Sequence, residues 1–352
     1  MGRFFIDHCL PFGLAPAGGL WGLIADAIVA ILLAHGIGPT FKWVDDFLFF
    51  RLLHQHYTLA TIRQITAPLG LPWHATKCHD FDTCFTYLGF NWDLTSKTVT
   101  LPFAKQQKFL LKVTALLGTP GGRWALRDVQ SVHGSLNHVC QVLLRGRPYT
   151  SSLSHFTSSF DSNLPLQRRY PPPAVLTDLQ WWVRILSGAL PIMRSLQPLP
   201  AALALEVHID ASSAWGLAIV VGDTWQAWRW KGDWKGEGRD IGWAETVAVE
   251  LLAGAVVAMG LAPAHVHSRS DNDGTIGAFN KGRGRNQTTN RCLIRIQDIC
   301  AASSLSLSLS YIPSEFNRAD RFSRGDFDLG MPRLSVEVPL SSEVAQFLEV
   351  AP

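Results

Sequence analysis

The sequence predicts an α/β protein built from several folding units, and three observations lead to this prediction. The chain has 352 residues, of which 47% are hydrophobic, which is enough for two or three domains with apolar cores. Its pattern changes from mixed helix and strand signals to helical periodicity, and then to strands that alternate with helices. These changes divide the chain into segments 1–102, 103–197 and 198–325, followed by a C-terminal tail at 326–352.

The first segment contains one apolar helical run and two candidate strand pairs. Trp21–Ala34 has the composition of a buried helix. Phe41–Leu52 alternates apolar residues around a polar centre, which predicts a β-hairpin. Thr86–Asp93 and Thr98–Pro102 are expected to form a second strand pair.

The second segment is mainly helical. Its periodic stretches are Lys105–Leu117, Leu126–Leu144 and Leu176–Leu186. Residues 149–173 are rich in Ser and Pro and are predicted to form an irregular loop. Pro191–Leu203 is predicted to be a linker.

The third segment has the order of three strands, a helix, a strand, helices, a strand and a short helix. The predicted elements are strands Leu205–Asp210, Trp215–Val221 and Thr224–Trp230, helix Ala244–Met259, strand His265–Ser270, helix Thr288–Ala301 and strand Leu305–Ile312. This order favours a mixed sheet that is covered by helices.

The most informative local feature is the pair Asp45 and Asp46 within the apolar run Phe41–Phe50. Two adjacent carboxylates in a hydrophobic segment repel each other, and burial of either one is costly. A divalent cation at the tip of the hairpin would neutralise them. The alternative is an Asp-rich turn, in which Asp is used for its turn geometry.

Four motifs in order resemble the palm of a reverse transcriptase. They are Leu-Pro-Phe-Gly-Leu at 10–14, Val-Asp-Asp at 44–46, Lys77, and Tyr-Leu-Gly-Phe at 87–90. The chain resembles most closely the tyrosine-recombinase (DIRS-like) retroelements, over about residues 4–325. That family implies a partial α+β palm, a helical thumb or connection, and an RNase H-like mixed-sheet domain.

The resemblance also implies roles for several residues in the first segment. Asp45 and Asp46 would be catalytic ligands of Mg²⁺ or Mn²⁺. Lys77 would lie near the incoming triphosphate, although a surface lysine explains it equally well. Phe12 and Gly13 would shape the surface that binds template or nucleotide.

A second set of acids lies in the third segment. Asp210, Glu245, Asp271 and Asp320 fall at strand ends or helix starts, and in an RNase H fold these positions converge as catalytic metal ligands. Two divalent metals held there would clamp the attacking and leaving oxygens in phosphodiester hydrolysis. Glu250 is an alternative to Glu245 on the same helix. For the three Asp residues, turn formation, helix capping or a favourable helix dipole are the structural alternatives.

A reverse transcriptase palm needs a third Asp upstream of the hairpin. Asp7 is the only acid that precedes the 10–14 motif, and the family often has a non-catalytic Asp there. We therefore expect a copy truncated before the first palm aspartate, or decayed.

Local basic runs predict contacts with phosphate groups. Residues 101–150 contain seven Lys or Arg and one Asp, a net charge of +6, whereas the whole chain carries +3. The candidate contacts in this run and in a second one at 281–295 are Lys105, Lys108, Arg123, Arg283 and Arg285. A solvated helix face is the alternative explanation.

Six cysteines without a C-x-x-C pair are typical of free thiols in a reducing compartment. The nearby His74, Cys78, His79 and Cys84 match no common zinc module. The apolar run Leu20–Leu33 contains an Asp and is short for a membrane span. We expect an intracellular protein, cytoplasmic or nuclear, without a membrane partner.

The expected activity is RNA-directed DNA polymerisation coupled to hydrolysis of RNA in hybrids. The partners would be an RNA template, a DNA primer and an RNA–DNA hybrid. Two alternatives remain: a non-enzymatic nucleic-acid-binding relic or domesticated protein, and a stand-alone nuclease.

Overall fold

The computed structural model describes residues 13–161, 163–164, 166–327 and 330–351. Asp7 and Phe12, which the sequence singled out, lie outside these residues. The chain divides into two compact units, Met1–Val99 and Thr100–Pro352. Helices and mixed sheets are both present, which confirms the α/β class.

The first unit is small and contains two β-hairpins. Its elements are α1 (Ala17–Ala34), β1 (Thr40–Trp43), β2 (Asp46–Phe49), α2 (Leu59–Thr66), β3 (Cys84–Tyr87), β4 (Phe90–Asp93) and β5 (Thr98–Thr100), with a 3-10 turn at Ala67–Leu69. Its core is built on α1 and α2 and includes Ile28, Leu32 and Ile62.

The predicted hairpin at Phe41–Leu52 is present, with Trp43 paired to Asp46 across its turn. The prediction of one strand at Thr86–Asp93 was wrong, because this stretch belongs to two antiparallel strands, β3 and β4. The chain reverses at Leu88 and Gly89, which both have positive φ. This left-handed geometry suits a tight hairpin turn.

By length and composition, two helices of the described part of the chain could cross a membrane, α1 and α7 (Ile241–Ala258). Helix α1 reaches 18 residues because it begins at Ala17, before the apolar run that seemed short for a span. It carries Asp26, which forms an ion pair with Lys42 of β1 at 3.0 Å. Helix α7 is mostly buried, which explains why it is apolar all round.

The second unit begins with a helical region. Its elements are α3 (Phe103–Leu117), β6 (Trp124–Ala125), α4 (Leu126–Val139), α5 (Ser151–Ser158), β7 (Arg168–Arg169), α6 (Pro173–Leu186) and β8 (Met193–Ser195), with 3-10 turns at Pro120–Gly122, Leu144–Gly146 and Pro148–Thr150. Helix α5 lies in a stretch predicted to be a loop. It forms because Leu153 and Phe156, three residues apart, share one buried face.

The mixed sheet follows the predicted order of elements. It contains β9 (Val207–Ala211), β10 (Gly216–Val221), β11 (Thr224–Trp230), α7, β12 (His265–Ser270), α8 (Asp273–Lys281), α9 (Gln287–Ser303), β13 (Ser306–Tyr311), a 3-10 turn at Ser314–Phe316, α10 (Asp320–Ser323), α11 (Ser342–Ala345) and β14 (Leu348–Val350). The strand order is β13-β12-β9-β10-β11-β14.

Within this sheet, β10 is antiparallel to β9 and β11, whereas β12 is parallel to both β9 and β13. Helix α7 packs on β9 and β10 and supplies much of the largest hydrophobic core. The segment expected to be a C-terminal tail adds the sixth strand, because β14 pairs with β11.

Candidate metal centre

Three aspartates meet at one edge of the mixed sheet. Asp210 lies in β9, Asp271 directly follows β12, and Asp320 begins α10. Because β9 and β12 are parallel neighbours, their carboxyl ends reach the same edge. One carboxylate oxygen from each residue lies within 4.8 Å of the others, a spacing that allows the three to share a metal ion.

Asp210 is the most deeply buried of the three, at 3% exposure. The hydroxyl of Ser323 donates a hydrogen bond to its Oδ2, and the amide of Asn317 donates to its Oδ1 at 3.4 Å. Burial raises the pKa of Asp210 to about 7, and the charges of Asp271 and Asp320 add to this rise, while the Ser323 hydrogen bond opposes it.

Asp271 is held by the loop that follows β13. The Ser314 hydroxyl donates to its Oδ2. The same Asn317 amide that contacts Asp210 lies 3.5 Å from Asp271 Oδ1. Asn317 therefore ties two of the acids to each other and, through a 3.0 Å bond to the carbonyl of Ile209, to strand β9.

Glu245 of α7 is buried beside the three aspartates. Its Oε1 accepts a hydrogen bond from the backbone N–H of Ala211 at 3.3 Å. Its Oε2 is buried without a hydrogen-bond partner. Burial and the charge of Asp210 raise the pKa of Glu245 well above its ordinary value. A buried carboxylate oxygen without a hydrogen-bond partner is suited to ligate a cation.

Glu250, the alternative to Glu245, has a different environment. Its carboxylate forms two hydrogen bonds with Arg295 of α9, at 2.8 and 2.7 Å, and accepts one from the Cys292 thiol at 3.0 Å. Glu250 is therefore already neutralised by an arginine. Of the two acids on α7, Glu245 is the one with an unpaired oxygen beside the aspartates.

Asp320 forms an ion pair with Arg324, which lies at the C-terminal end of the same helix, α10. Arg324 donates to Asp320 Oδ1 at 2.7 Å through Nη2, and its Nε lies 3.0 Å from each carboxylate oxygen. This bidentate contact offsets part of the negative charge of the cluster. The pair is partly exposed, since the side chains of Arg324 and Asp320 are 63% and 27% exposed.

Sequence reasoning missed the residues that hold the acids, namely Ser314, Asn317, Ser323 and Arg324. A weak signal was present. Asn317 and Ser323 lie three residues before and after Asp320, and Arg324 lies four residues after it, which is the spacing of neighbours on a helical turn.

The aspartates of the N-terminal hairpin do not form a comparable cluster. Asp45 lies in the turn and Asp46 begins β2, and both are exposed. Within the described ranges, the acidic group close enough to share a metal is that of Asp210, Asp271 and Asp320. Lys77 and Gly13 lie in exposed turns elsewhere in the same unit.

The predicted phosphate contacts lie mostly at the surface. Lys108, Arg123, Arg283 and Arg285 are exposed. Lys105 is partly buried, and its Nζ lies 3.2 Å from the His138 ring. Burial lowers the pKa of Lys105, and so does its neighbour Lys108.

No protein-family model matches the chain, and no curated protein does. One similar solved structure is the foamy viral protease-reverse transcriptase dRH in complex with double-stranded DNA, at 15% identity and a TM-score of 0.38, covering 86% of this chain. Another is RNase H1 from the halophilic archaeon Halobacterium salinarum NRC-1, at 15% identity and a TM-score of 0.26, covering 35% of this chain and 96% of that one. The chain spans about half, 51%, of the foamy viral chain.

Proposed function

We propose that residues 198–351 form a divalent-metal-dependent nuclease that hydrolyses the RNA strand of RNA–DNA hybrids. The observation that carries this proposal is the convergence of Asp210, Asp271 and Asp320 beside the unpaired oxygen of Glu245. The order of elements along the chain supports it, because three strands, a helix, a strand, helices, a strand and a short helix is the order expected from the resemblance of this segment to an RNase H fold.

Mg²⁺ or Mn²⁺ is the cofactor that these residues fit. Four carboxylates without a nitrogen or sulfur ligand suit a hard cation that prefers oxygen. Asp210, Glu245, Asp271 and Asp320 would hold it. When bound, the ion supplies positive charge that stabilises the developing charge on phosphate oxygens.

The surrounding side chains position the acids in advance. Ser323 and Ser314 hold Asp210 and Asp271, and the Asn317 amide lies between these two carboxylates. The Ala211 amide orients Glu245. Such preorganisation lowers the cost of forming the site when the hybrid arrives. Asp271 and Asp320, the more exposed acids, would face the phosphodiester.

We also propose that residues 1–102 are part of a reverse transcriptase palm and residues 103–197 its thumb or connection, in a DIRS-like retroelement-derived polymerase. The hairpin that presents Asp45 and Asp46 supports this assignment. The basic side chains at Lys108 and Arg123 would contact the RNA template or DNA primer. We propose, as part of this assignment, that the protein is located in the cytoplasm or nucleus.

We expect no primer extension by this chain, because Asp45 and Asp46 lack a third carboxylate among the described residues. Losing a ligand from a polymerase site forfeits much of the stabilisation of the transition state. A primed RNA template with labelled nucleotides and Mg²⁺ is the assay. Extension that disappears in Asp45→Asn would contradict the expectation.

The nuclease proposal is tested with the full chain and a labelled RNA–DNA hybrid. We expect Mg²⁺-dependent cleavage of the RNA strand that Asp271→Asn reduces by roughly 10²-fold or more. Asp273→Asn is the matched control, because Asp273 lies two residues away but outside the acidic cluster. Hybrid binding without any cleavage would instead favour the non-enzymatic nucleic-acid-binding protein.

A further inference from the structure

The second unit contains a cavity of about 300 Å³ between α5, α6 and the start of α9. Its polar lining includes Ser152, His155, Arg169, Tyr170, Asp178 and Gln287. None of these residues belongs to the acidic cluster or has a role in the proposed nuclease. A cavity of this volume lies at the lower end of the range for small-molecule sites.

Asp178 of α6 is the most unusual group in this lining. Its Oδ2 accepts a hydrogen bond from the Ser152 hydroxyl at 2.5 Å. Its Oδ1 has no hydrogen-bond partner, and no Lys or Arg forms an ion pair with it, within the part of the chain that the structure describes. Burial raises the pKa of Asp178 to about 6, against the lowering effects of the Ser152 bond and of the Arg291 charge. At neutral pH the cavity therefore holds a carboxylate whose Oδ1 has no donor among the described residues.

A guanidinium and an aromatic ring lie on the same cavity. Arg169 donates one hydrogen bond, from Nη1 to the Ser159 carbonyl, and no ion pair joins it to Asp178 in the described ranges. The ring of Tyr170 is largely exposed, at 69%, and the Arg123 guanidinium lies 5.7 Å from its centre. The cavity thus combines the carboxylate acceptor of Asp178, the N–H donors of the Arg169 guanidinium and the ring of Tyr170, on which a planar ligand could stack.

We propose that this cavity binds a guanine base, with Asp178 and Arg169 as the groups that select it. Guanine carries two adjacent donors, N1–H and the 2-amino group, which match a carboxylate. It also carries two adjacent acceptors, O6 and N7, which match an arginine. Adenine and cytosine place a donor beside an acceptor. Tyr170 would stack on the base, as aromatic rings do on unpaired bases.

The guanine could belong to a free nucleotide or to a single-stranded nucleic acid. Both present the same hydrogen-bonding edges of the base. Binding of GMP, IMP and AMP to the full chain by calorimetry tests the recognition itself. IMP lacks only the 2-amino group, so we expect it to bind at least about tenfold more weakly than GMP. This comparison uses the unmodified protein. Equal affinities for GMP, IMP and AMP, or no binding of GMP, would overturn the proposal.

The variant Asp178→Asn tests whether this carboxylate selects the base. The variant replaces one acceptor oxygen by a donor, so it should weaken GMP binding at least about tenfold and abolish the difference between GMP and IMP. Asp128→Asn, at an exposed position of α4, is the matched control and should leave GMP affinity unchanged. An unaltered preference for GMP over IMP in Asp178→Asn would contradict the assignment of this residue.

A short single-stranded RNA with one guanosine, and the same RNA with inosine, separates the two sources. If the RNA with guanosine binds more tightly than GMP, and its affinity depends steeply on salt, the natural ligand is a single strand whose phosphates contact the basic surface. If this RNA binds only as tightly as GMP, the natural ligand is a free nucleotide. In both cases guanosine must exceed inosine, and nuclease activity need not be present.

Discussion

Asp210→Asn should stabilise the metal-free protein at pH 8 and abolish its stabilisation by Mg²⁺. Burial raises the pKa of Asp210 to about 7 from 3.8, so the folded state binds more protons than the unfolded state between these values. Its contribution to stability is therefore present at low pH and is lost as the pH rises from about 4 through 7. A neutral side chain of similar size removes this loss.

We expect a gain on the order of 2–4 kcal/mol in the free energy of unfolding at pH 8, and little difference near pH 4. Thermal melts in EDTA at both pH values measure this gain, and melts with Mg²⁺ measure the response to metal. Asp128→Asn is the control for a generic loss of charge. If Asp210→Asn were less stable than the wild-type protein at pH 8 in EDTA, the strain attributed to this carboxylate would be absent.

The two glutamates of α7 should respond in opposite ways to neutralisation. Glu250→Gln removes one of the two ion pairs of the partly buried Arg295, which keeps its 2.7 Å pair with Glu343, so we expect a loss of about 2 kcal/mol in stability. Its thermal response to Mg²⁺ should persist. Glu245→Gln removes a buried charge that has no cation partner, so its metal-free stability should not fall, while the response to Mg²⁺ should disappear.

Thermal melts of both variants with and without Mg²⁺ separate the two roles. The substitutions are isosteric and lie on one helix, so each is the control for the other. A response to Mg²⁺ that is lost in Glu250→Gln and kept in Glu245→Gln would assign the wrong glutamate to the metal centre.

The acidic site could largely be predicted because strand ends fix its geometry. The sequence placed Asp210 and Asp271 at strand ends, the resemblance to RNase H implied that they converge, and the parallel pairing of β9 and β12 brings both to one sheet edge. The choice between Glu245 and Glu250 could not be made in the same way. Five positions turn a helix by roughly 140°, and α7 is apolar on all faces, so the periodicity does not choose between them. Their contacts do, because Glu250 pairs with Arg295 whereas Glu245 lies beside the aspartates.

Other elements left no local signal. Strand β14 has three residues and forms by pairing with β11, more than 100 positions earlier in the chain. Helix α5 was not predicted, because its sequence is rich in serine and its buried face contains only a few apolar residues, such as Leu153 and Phe156. Ser323 acquires its role only when folding brings its hydroxyl to Asp210. Contacts that arise from long-range packing are not encoded in periodicity.

Diffraction from a crystal of the full chain soaked in Mn²⁺, collected at a wavelength where manganese scatters anomalously, tests the metal centre most directly. We predict an anomalous peak among the carboxylates of Asp210, Asp271 and Asp320, with the Glu245 oxygen turned towards it. An Asp210→Asn crystal under the same conditions should lack the peak. Full-occupancy Mn²⁺ elsewhere on the protein, with none between these acids, would contradict the account.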